Sequence, residues 1–113
     1  MELKAAQFEV DEWIKNIGVR YFNELTNLTI LMEEVGELAR IGARVYGEQS
    51  FKLKEDQLNA LDHWKEELGD VLFVLICLAN QTEVDLEKCF KENLIKKSNR
   101  DKIRHTSNKK LKN

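Results

Sequence analysis

The sequence has no proline, only five glycines and only two cysteines in 113 residues. Proline and glycine are the residues that most often interrupt helices, so their scarcity favours long helices. The cysteines, Cys77 and Cys89, are too few for a disulfide framework and lack the spacing of metal ligands. We therefore expect an all-α protein in a reducing cytoplasm.

Long apolar runs are also missing. The longest, residues 71–79, has nine residues, whereas a helix that spans a bilayer needs about 20. The N-terminus has no positively charged start followed by an apolar stretch, which is the pattern of a secretion signal. No membrane partner is expected.

Charge is abundant but unevenly distributed. Residues 96–113 carry eight Lys or Arg and one Asp, a sum of +7, so the formal net charge of −2 leaves −9 for residues 1–95. We predict one domain over residues 1–105 and a basic, disordered tail over 106–113. The basic region 96–113 has one aromatic residue, His105, and follows no RNA-binding signature, so a nucleic-acid partner is not expected.

Apolar residues recur at helical spacing in four segments. They predict helices over residues 3–17, 24–46, 56–80 and 85–100, with a polar loop over 47–55, and so a four-helix bundle. Every residue of 71–79 is apolar, and a helix that is apolar on all sides must be buried on all sides. Because one small bundle encloses few helices completely, we predict a homodimer or a dimer of dimers.

Two similar acidic motifs stand out within the second and third predicted helices. The first acidic pair is Glu34 and Glu37, and the second acidic pair is Glu67 and Asp70. Residues three apart share one face of a helix, so two neighbouring helices would direct four carboxylates to one place. Such a group of anions needs a counter-charge, and oxygen ligands without Cys or His favour Mg²⁺, or Mn²⁺, over zinc.

The simplest alternative is that both acidic pairs lie on ordinary solvated helix faces. Against it, Gly36, Gly42 and Gly69 lie deep inside the predicted helices, where each costs about 1 kcal/mol relative to alanine. A close approach of two helix backbones would explain them. A di-iron carboxylate bundle is disfavoured because neither His63 nor His105 lies three residues after a Glu, as its Glu-x-x-His motif requires.

The two motifs, with 29 residues between Glu37 and Glu67, resemble the signature of the MazG-like all-α nucleotide pyrophosphohydrolases. The similarity extends to the runs at 44–48, 69–80 and 100–102, and it is strongest to the small single-domain bacterial branch. It implies that Mg²⁺ held by Glu34, Glu37, Glu67 and Asp70 supports hydrolysis of a nucleoside or deoxynucleoside triphosphate. The expected products are the monophosphate and pyrophosphate, in nucleotide-pool housecleaning.

Such chemistry requires a proton acceptor and partners for the phosphates. A carboxylate beside the metal, Glu37 or Glu67, would accept the proton of the attacking water. Lys96 and Arg100 would hold the phosphate tail, and Asn80 would bind sugar or base, although these three also suit solvated or capping roles at helix ends.

Two further interpretations concern the tryptophans and the function class. Trp13 and Trp64 are expected in the core rather than as stacking platforms for a base. The rival to an enzyme is a non-enzymatic, oligomerising helical module that regulates a partner, in which the acidic residues only increase solubility.

Overall fold

The chain forms five α-helices and one short 3₁₀ helix in the computed structural model, which describes residues 1–112. The α-helices are α1 (Leu3–Asn16), α2 (Glu24–Val45), α3 (Lys54–Leu58), α4 (Ala60–Gln81) and α5 (Leu86–Thr106), and the 3₁₀ helix is Lys109–Leu111. No strand occurs within these residues, which confirms the predicted all-α class. None of the helices in the described chain combines the length and apolar character that crossing a membrane requires.

Two helix starts follow from side-chain caps. The Asn23 side chain accepts hydrogen bonds from the backbone N–H groups of Leu25 and Thr26 at the start of α2. The Asp85 side chain accepts one from the N–H of Lys88 at the start of α5. Each cap satisfies backbone donors that would otherwise lack a partner, which fixes where α2 and α5 begin.

The core lies where α4 packs against α2 on one side and α1 on the other. Its buried apolar side chains come from all three helices, and α4 contributes most of them: Ile14, Ile41, Ala60, Val74, Ile76, Cys77 and Ala79. Burial of such side chains is the main favourable term in folding. The α2–α4 contact therefore fixes how the acidic stretches of these two helices face each other.

The predicted third helix is interrupted near its start. Asn59 has φ −99° and ψ 7° and separates α3 from α4. Its side-chain amide donates to the backbone carbonyl of Glu55, four residues earlier. An asparagine that bonds to nearby backbone competes with the helix for the same groups, so the expectation of one continuous helix over 56–80 was wrong.

The interior glycines have different surroundings from those expected. A Cβ added at Gly36 or Gly69 would meet no atom within 4 Å, so neither position marks a close approach within the chain. A Cβ at Gly42 would lie 3.1 Å from the indole of Trp64. Within one chain, the expectation that helix backbones meet at these glycines was wrong for Gly36 and Gly69, and at Gly42 the neighbour is a side chain.

The last long helix stands away from the core. All residues from 88 to 100 are exposed, and the radius of gyration is 18.0 Å, compared with about 13 Å for a compact domain of this length. On α4, Leu68, Leu72 and Leu75 are also exposed. Assembly of several copies stays a prediction, as do the domain boundary at residue 105 and a disordered tail, whose residue 113 lies outside the described chain.

Candidate metal centre

Three of the four predicted carboxylates meet between α2 and α4. Glu34, Glu67 and Asp70 each offer one oxygen, and these oxygens all lie within 4.8 Å of one another. We call these three residues the acidic cluster. Glu34 comes from α2, and the other two residues lie one helical turn apart on α4, so the α2–α4 packing assembles the cluster.

The protonation of Glu34 reflects this crowding. The Glu67 carboxylate lies within hydrogen-bonding reach, and together with burial and the charge of Asp70 it raises the pKa of Glu34 to about 7. Each of these influences disfavours a further negative charge. The cluster therefore favours a bound proton or a cation over three free carboxylates.

One atom of the acidic cluster supports a cation more directly. The Oε2 atom of Glu67 is buried and has no hydrogen-bond partner among the described residues. A buried polar atom without a partner is costly, and a metal ion would satisfy it. Because the donors are carboxylate oxygens without Cys or His, they fit a hard divalent cation. The acidic cluster could thus hold a metal ion.

The fourth predicted ligand lies outside the acidic cluster. Glu37 is exposed on α2, and its Oε2 accepts a hydrogen bond of 3.2 Å from Nε of Arg40, one turn further along the helix. The structure therefore does not bring Glu37 to the other three carboxylates. Its role as a ligand and as the proton acceptor stays a prediction.

A cavity of about 440 Å³ adjoins the acidic cluster. Glu34 and Asp70 line it, together with a set of aromatic side chains: Trp13, Tyr21, Phe22 and Phe73. We call it the aromatic cavity. A pocket with apolar walls and a few charged groups at one end is the usual form of a small-molecule site.

Sequence reasoning missed the loop that forms one wall of this cavity. Residues 19–23 were predicted only as a connection between helices. In the structure the 18–22 loop lines the aromatic cavity, and its Arg20 is the only Lys or Arg that does so within the described chain. Val19 has φ 74°, a strained conformation for a β-branched residue, just before Arg20. The available signal was the run of one cation and two aromatics, Arg20, Tyr21 and Phe22, directly after α1.

The two tryptophans have different positions. Trp13 is 46% exposed and lines the aromatic cavity, where its ring packs edge-on against Phe73 with 5.6 Å between centroids. The expectation that Trp13 lies in the core was wrong. Trp64 is half-buried and packs against Tyr46, with 5.5 Å between centroids.

Asn80 belongs to a hydrogen-bond network at the far end of α4. Its amide donates to the backbone carbonyl of Gln7 and to the Tyr21 hydroxyl, and its Oδ1 accepts from the Gln7 side chain. Tyr21 in turn donates to Asp11 at 2.6 Å, and burial, followed by this bond, raises the pKa of Tyr21 to about 12. Asn80 lies about 15 Å along α4 from Asp70, and its polar atoms are engaged in joining α1, the 18–22 loop and α4.

The two predicted phosphate-binding cations, Lys96 and Arg100, are exposed on α5. The Arg100 guanidinium forms an ion pair of 2.8 Å with the neighbouring Asp101, which lowers the pKa of that carboxyl. Neither residue lines the aromatic cavity. Their part in substrate binding stays a prediction.

Comparison with known proteins agrees with the helical fold. The sequence model of the MazG nucleotide pyrophosphohydrolase domain matches residues 22–105. This range covers most of the chain and contains all four predicted carboxylates, and the chain belongs to the MazG family.

Individual relatives are similar over most of their length. Protein YpjD of Bacillus subtilis (strain 168), which is uncharacterized, is 42% identical over 104 residues, or 92% of this chain and 90% of YpjD. The crystal structure of YPJD from Bacillus subtilis gives a TM-score of 0.71 at 40% identity and covers 85% of this chain and 92% of its own.

A second solved structure carries a functional description. The Bacillus-conserved MazG protein, described as a nucleotide pyrophosphohydrolase, gives a TM-score of 0.70 at 38% identity. The match covers 85% of this chain and 88% of that protein. The predicted family is therefore confirmed, and with it a domain of the nucleotide pyrophosphohydrolase type.

Proposed function

We infer that this chain hydrolyses a nucleoside or deoxynucleoside triphosphate between the α- and β-phosphates. The products are the nucleoside monophosphate and pyrophosphate, a reaction suited to clearing unwanted triphosphates from the nucleotide pool. The observation that carries the proposal is the acidic cluster at one end of the aromatic cavity. A cation at the cluster and a base between the aromatic walls would together accommodate one nucleotide.

The metal in this proposal is Mg²⁺, with Mn²⁺ as the alternative. Glu34, Glu67 and Asp70 would hold it, with Glu37 as the predicted fourth ligand. When bound, the ion would supply charge neutralisation for the phosphates and a lower pKa for an attached water molecule. The buried, unpartnered Oε2 of Glu67 is the atom of this chain that most needs such a cation.

The chain's own residues have to orient the water and take its proton. Glu67 and Glu37 are the proposed proton acceptors. Glu67 belongs to the acidic cluster, whereas Glu37 would have to leave Arg40 to reach it. The apolar part of the aromatic cavity would exclude bulk water from the base. No side-chain nucleophile is needed, since phosphoryl chemistry rests on positioning and charge compensation.

Several groups are proposed to bind the rest of the substrate. Lys96 and Arg100 are the predicted partners of the phosphate tail, and Arg20 adds a cation on the wall of the aromatic cavity. Guanidinium groups form strong, charge-assisted hydrogen bonds with phosphate oxygens. Asn80 is the predicted partner of sugar or base, and its amide donates a hydrogen bond to the hydroxyl of Tyr21 on the cavity wall.

We place the reaction in the cytoplasm and in a homodimer or homotetramer. Both cysteines are free thiols, which suits a reducing compartment. Leu68, Leu72 and Leu75 are exposed along one side of α4, and a second copy of the chain would remove this apolar surface from water.

A panel of ribo- and deoxyribonucleoside triphosphates, assayed with Mg²⁺ for released pyrophosphate, tests the proposed reaction. We expect metal-dependent pyrophosphate with at least one substrate, and a rise in melting temperature when Mg²⁺ is added. Release of orthophosphate alone would reject cleavage at the α–β bond. Absence of both turnover and a metal-dependent thermal shift would favour the non-enzymatic regulatory module.

A further inference from the structure

One buried polar side chain of the aromatic cavity has no part in the roles described so far. Asn27 is only 4% exposed, lies on α2 and lines the cavity. Its side-chain nitrogen donates to Oε1 of Gln81 at 2.8 Å and to the backbone carbonyl of Phe22 at 3.4 Å. Among residues 1–112, its Oδ1 accepts no hydrogen bond from the chain.

The surrounding hydrogen bonds fix the orientation of the Asn27 amide. The backbone carbonyl of Phe22 is only an acceptor, so the side-chain nitrogen of Gln81 must face it. The opposite end of the Gln81 amide, Oε1, then faces Asn27 and requires the nitrogen of Asn27 on that side. Both hydrogens of the Asn27 amide are thereby engaged, and its oxygen is the polar atom left for a ligand.

Asn27 and the acidic cluster border the aromatic cavity at different heights along α2. It precedes Glu34 by seven residues on α2, which is about 10 Å along the helix. This separation is comparable to that between the α-phosphate and the far edge of the base in an extended nucleotide. With the phosphates at the acidic cluster, the base would reach Asn27.

The neighbouring polar groups of the cavity cannot replace this acceptor. Arg20 offers only donors. The Tyr21 hydroxyl already donates to Asp11 and accepts from Asn80. Cys77 is a weak hydrogen-bonding group whose burial raises its thiol pKa to about 11. Asn27 is therefore the best placed fixed acceptor in this part of the cavity.

We propose that Asn27 is a specificity-determining residue, whose Oδ1 accepts a hydrogen bond from an N–H group on the edge of the nucleobase. The proposal rests on the proposed function and adds the chemical feature that the site selects. A base with an amino group or a ring N–H satisfies this oxygen, whereas a base without one leaves it unpaired. A site built for a hydrogen bond rejects the analogue that lacks it more strongly than a purely apolar site would.

The wild-type chain provides the first test, with substrate pairs that differ at one N–H donor. The pairs are ATP and purine riboside triphosphate, CTP and 2-pyrimidinone riboside triphosphate, UTP and N3-methyluridine triphosphate, and GTP and N1-methylguanosine triphosphate. For the natural triphosphate that is turned over fastest, we expect kcat/KM to fall about 10- to 100-fold on the matched analogue. Equal values within each pair would overturn the proposal.

The variant Asn27→Leu provides the second test, because leucine has a similar size and no acceptor. We expect the kcat/KM values of this variant for the two members of the pair to agree within about twofold, since leucine cannot accept a hydrogen bond from the N–H group of the base. Asn99→Leu, an exposed asparagine on α5, is the matched control and should keep the wild-type ratio. An unchanged ratio in Asn27→Leu would remove Asn27 from base selection.

Binding measurements separate this proposal from the proposed reaction. Inorganic tripolyphosphate with Mg²⁺ carries no base, so it should raise the melting temperature of wild type and Asn27→Leu equally. If no triphosphate releases pyrophosphate, the reaction is wrong, yet a thermal shift that is larger for the natural nucleotide than for its analogue would still support Asn27. If pyrophosphate is released without discrimination within the pairs, only the role of Asn27 fails.

Discussion

The two acidic pairs have nearly the same local sequence and different structural outcomes. On α4, both members of the second acidic pair, Glu67 and Asp70, lie in the acidic cluster. On α2, the first acidic pair separates, because Glu34 joins the cluster while Glu37 pairs with Arg40 in solvent. The three-residue spacing determines which side chains share a helix face, but nearby side chains determine where each carboxylate points.

The partly buried and the exposed carboxylates also differ in how unfavourable their negative charge is. Glu34 and Glu67 are partly buried beside each other, and the proximity of Glu67 and burial raise the pKa of Glu34, so this pair favours a bound proton or a cation. Glu37 is exposed and already has a cation in Arg40, and an exposed ion pair is worth about 0–1 kcal/mol. Such a weak contact would exchange readily for a stronger one when substrate and metal bind.

The largest effect is expected at the second acidic pair. Glu67→Gln removes the charge of a proposed metal ligand in the acidic cluster and should lower kcat at least about 1,000-fold, since the stabilisation that a bound metal supplies is worth several kcal/mol. Pyrophosphate release with saturating Mg²⁺ measures it. Glu66→Gln, the adjacent exposed carboxylate, is the control and should retain wild-type turnover. Near-normal turnover in Glu67→Gln would exclude the acidic cluster as the active site.

The next effect tests whether Glu37 leaves Arg40 during catalysis. If it does, Glu37→Gln should reduce kcat about 100-fold, and Arg40→Gln should tighten Mg²⁺ binding by up to about fivefold, because the competing ion pair is gone. Turnover and Mg²⁺ titration of both variants measure this. Wild-type behaviour of Glu37→Gln would show that the first acidic pair contributes only Glu34.

The stability of the folded chain should depend on pH through Glu34. The carboxyl of Glu34 has a pKa of about 7 in the folded chain against an ordinary value of 4.5, so the folded state keeps a proton that the unfolded state releases between these values. Without metal, the free energy of unfolding should therefore fall as the pH rises from about 4.5 to about 7. Thermal melting across this range measures it.

The affinity for Mg²⁺ should depend on whether Glu34 carries its proton. Because Mg²⁺ competes with it, the apparent Mg²⁺ affinity should rise up to about tenfold per pH unit below pH 7 and level off above. Glu34→Gln should lose the dependence of stability on pH together with the Mg²⁺-induced rise in melting temperature. Glu33→Gln, an exposed neighbour, should keep both. A flat pH profile in the wild type would contradict the crowding of Glu34.

The smallest effect concerns the glycine inside each acidic pair. Gly36→Ala and Gly69→Ala meet open space, so each should raise the free energy of unfolding by about 0.5–1 kcal/mol through better helix propensity. Gly42→Ala is the contrasting variant, because its Cβ would meet Trp64 at 3.1 Å. Loss of stability in Gly36→Ala or Gly69→Ala would instead indicate a partner helix packed on that glycine.

The sequence predicted the parts of the structure that depend on periodicity and spacing. The positions of the long helices followed from apolar repeats, and the meeting of Glu34, Glu67 and Asp70 followed from their helix faces. The break at Asn59 was not predictable from apolar spacing, because it depends on a local bond from the Asn59 side chain to the backbone. Likewise, the sequence did not predict that Arg40 would draw Glu37 away from the other carboxylates, because that contact depends on the positions of the two side chains.

The aromatic cavity was beyond sequence reasoning for a different reason. Its walls come from α1, the 18–22 loop, α2 and α4, and only the folded chain shows which of their side chains enclose a space. The engaged nitrogen and free oxygen of Asn27 likewise depend on Gln81, which is 54 residues away in the chain. Spacing along one helix carries no information about such distant pairs.

The contrast between the two thiols has a practical consequence. Cys77 lies on the wall of the aromatic cavity, and burial raises its thiol pKa to about 11, so almost none of it is thiolate at neutral pH. Cys89 is exposed on α5. A maleimide dye should therefore attach at Cys89 and leave the cavity unmodified, which gives a single-position fluorescent label on the native sequence for following encounters between copies of the chain.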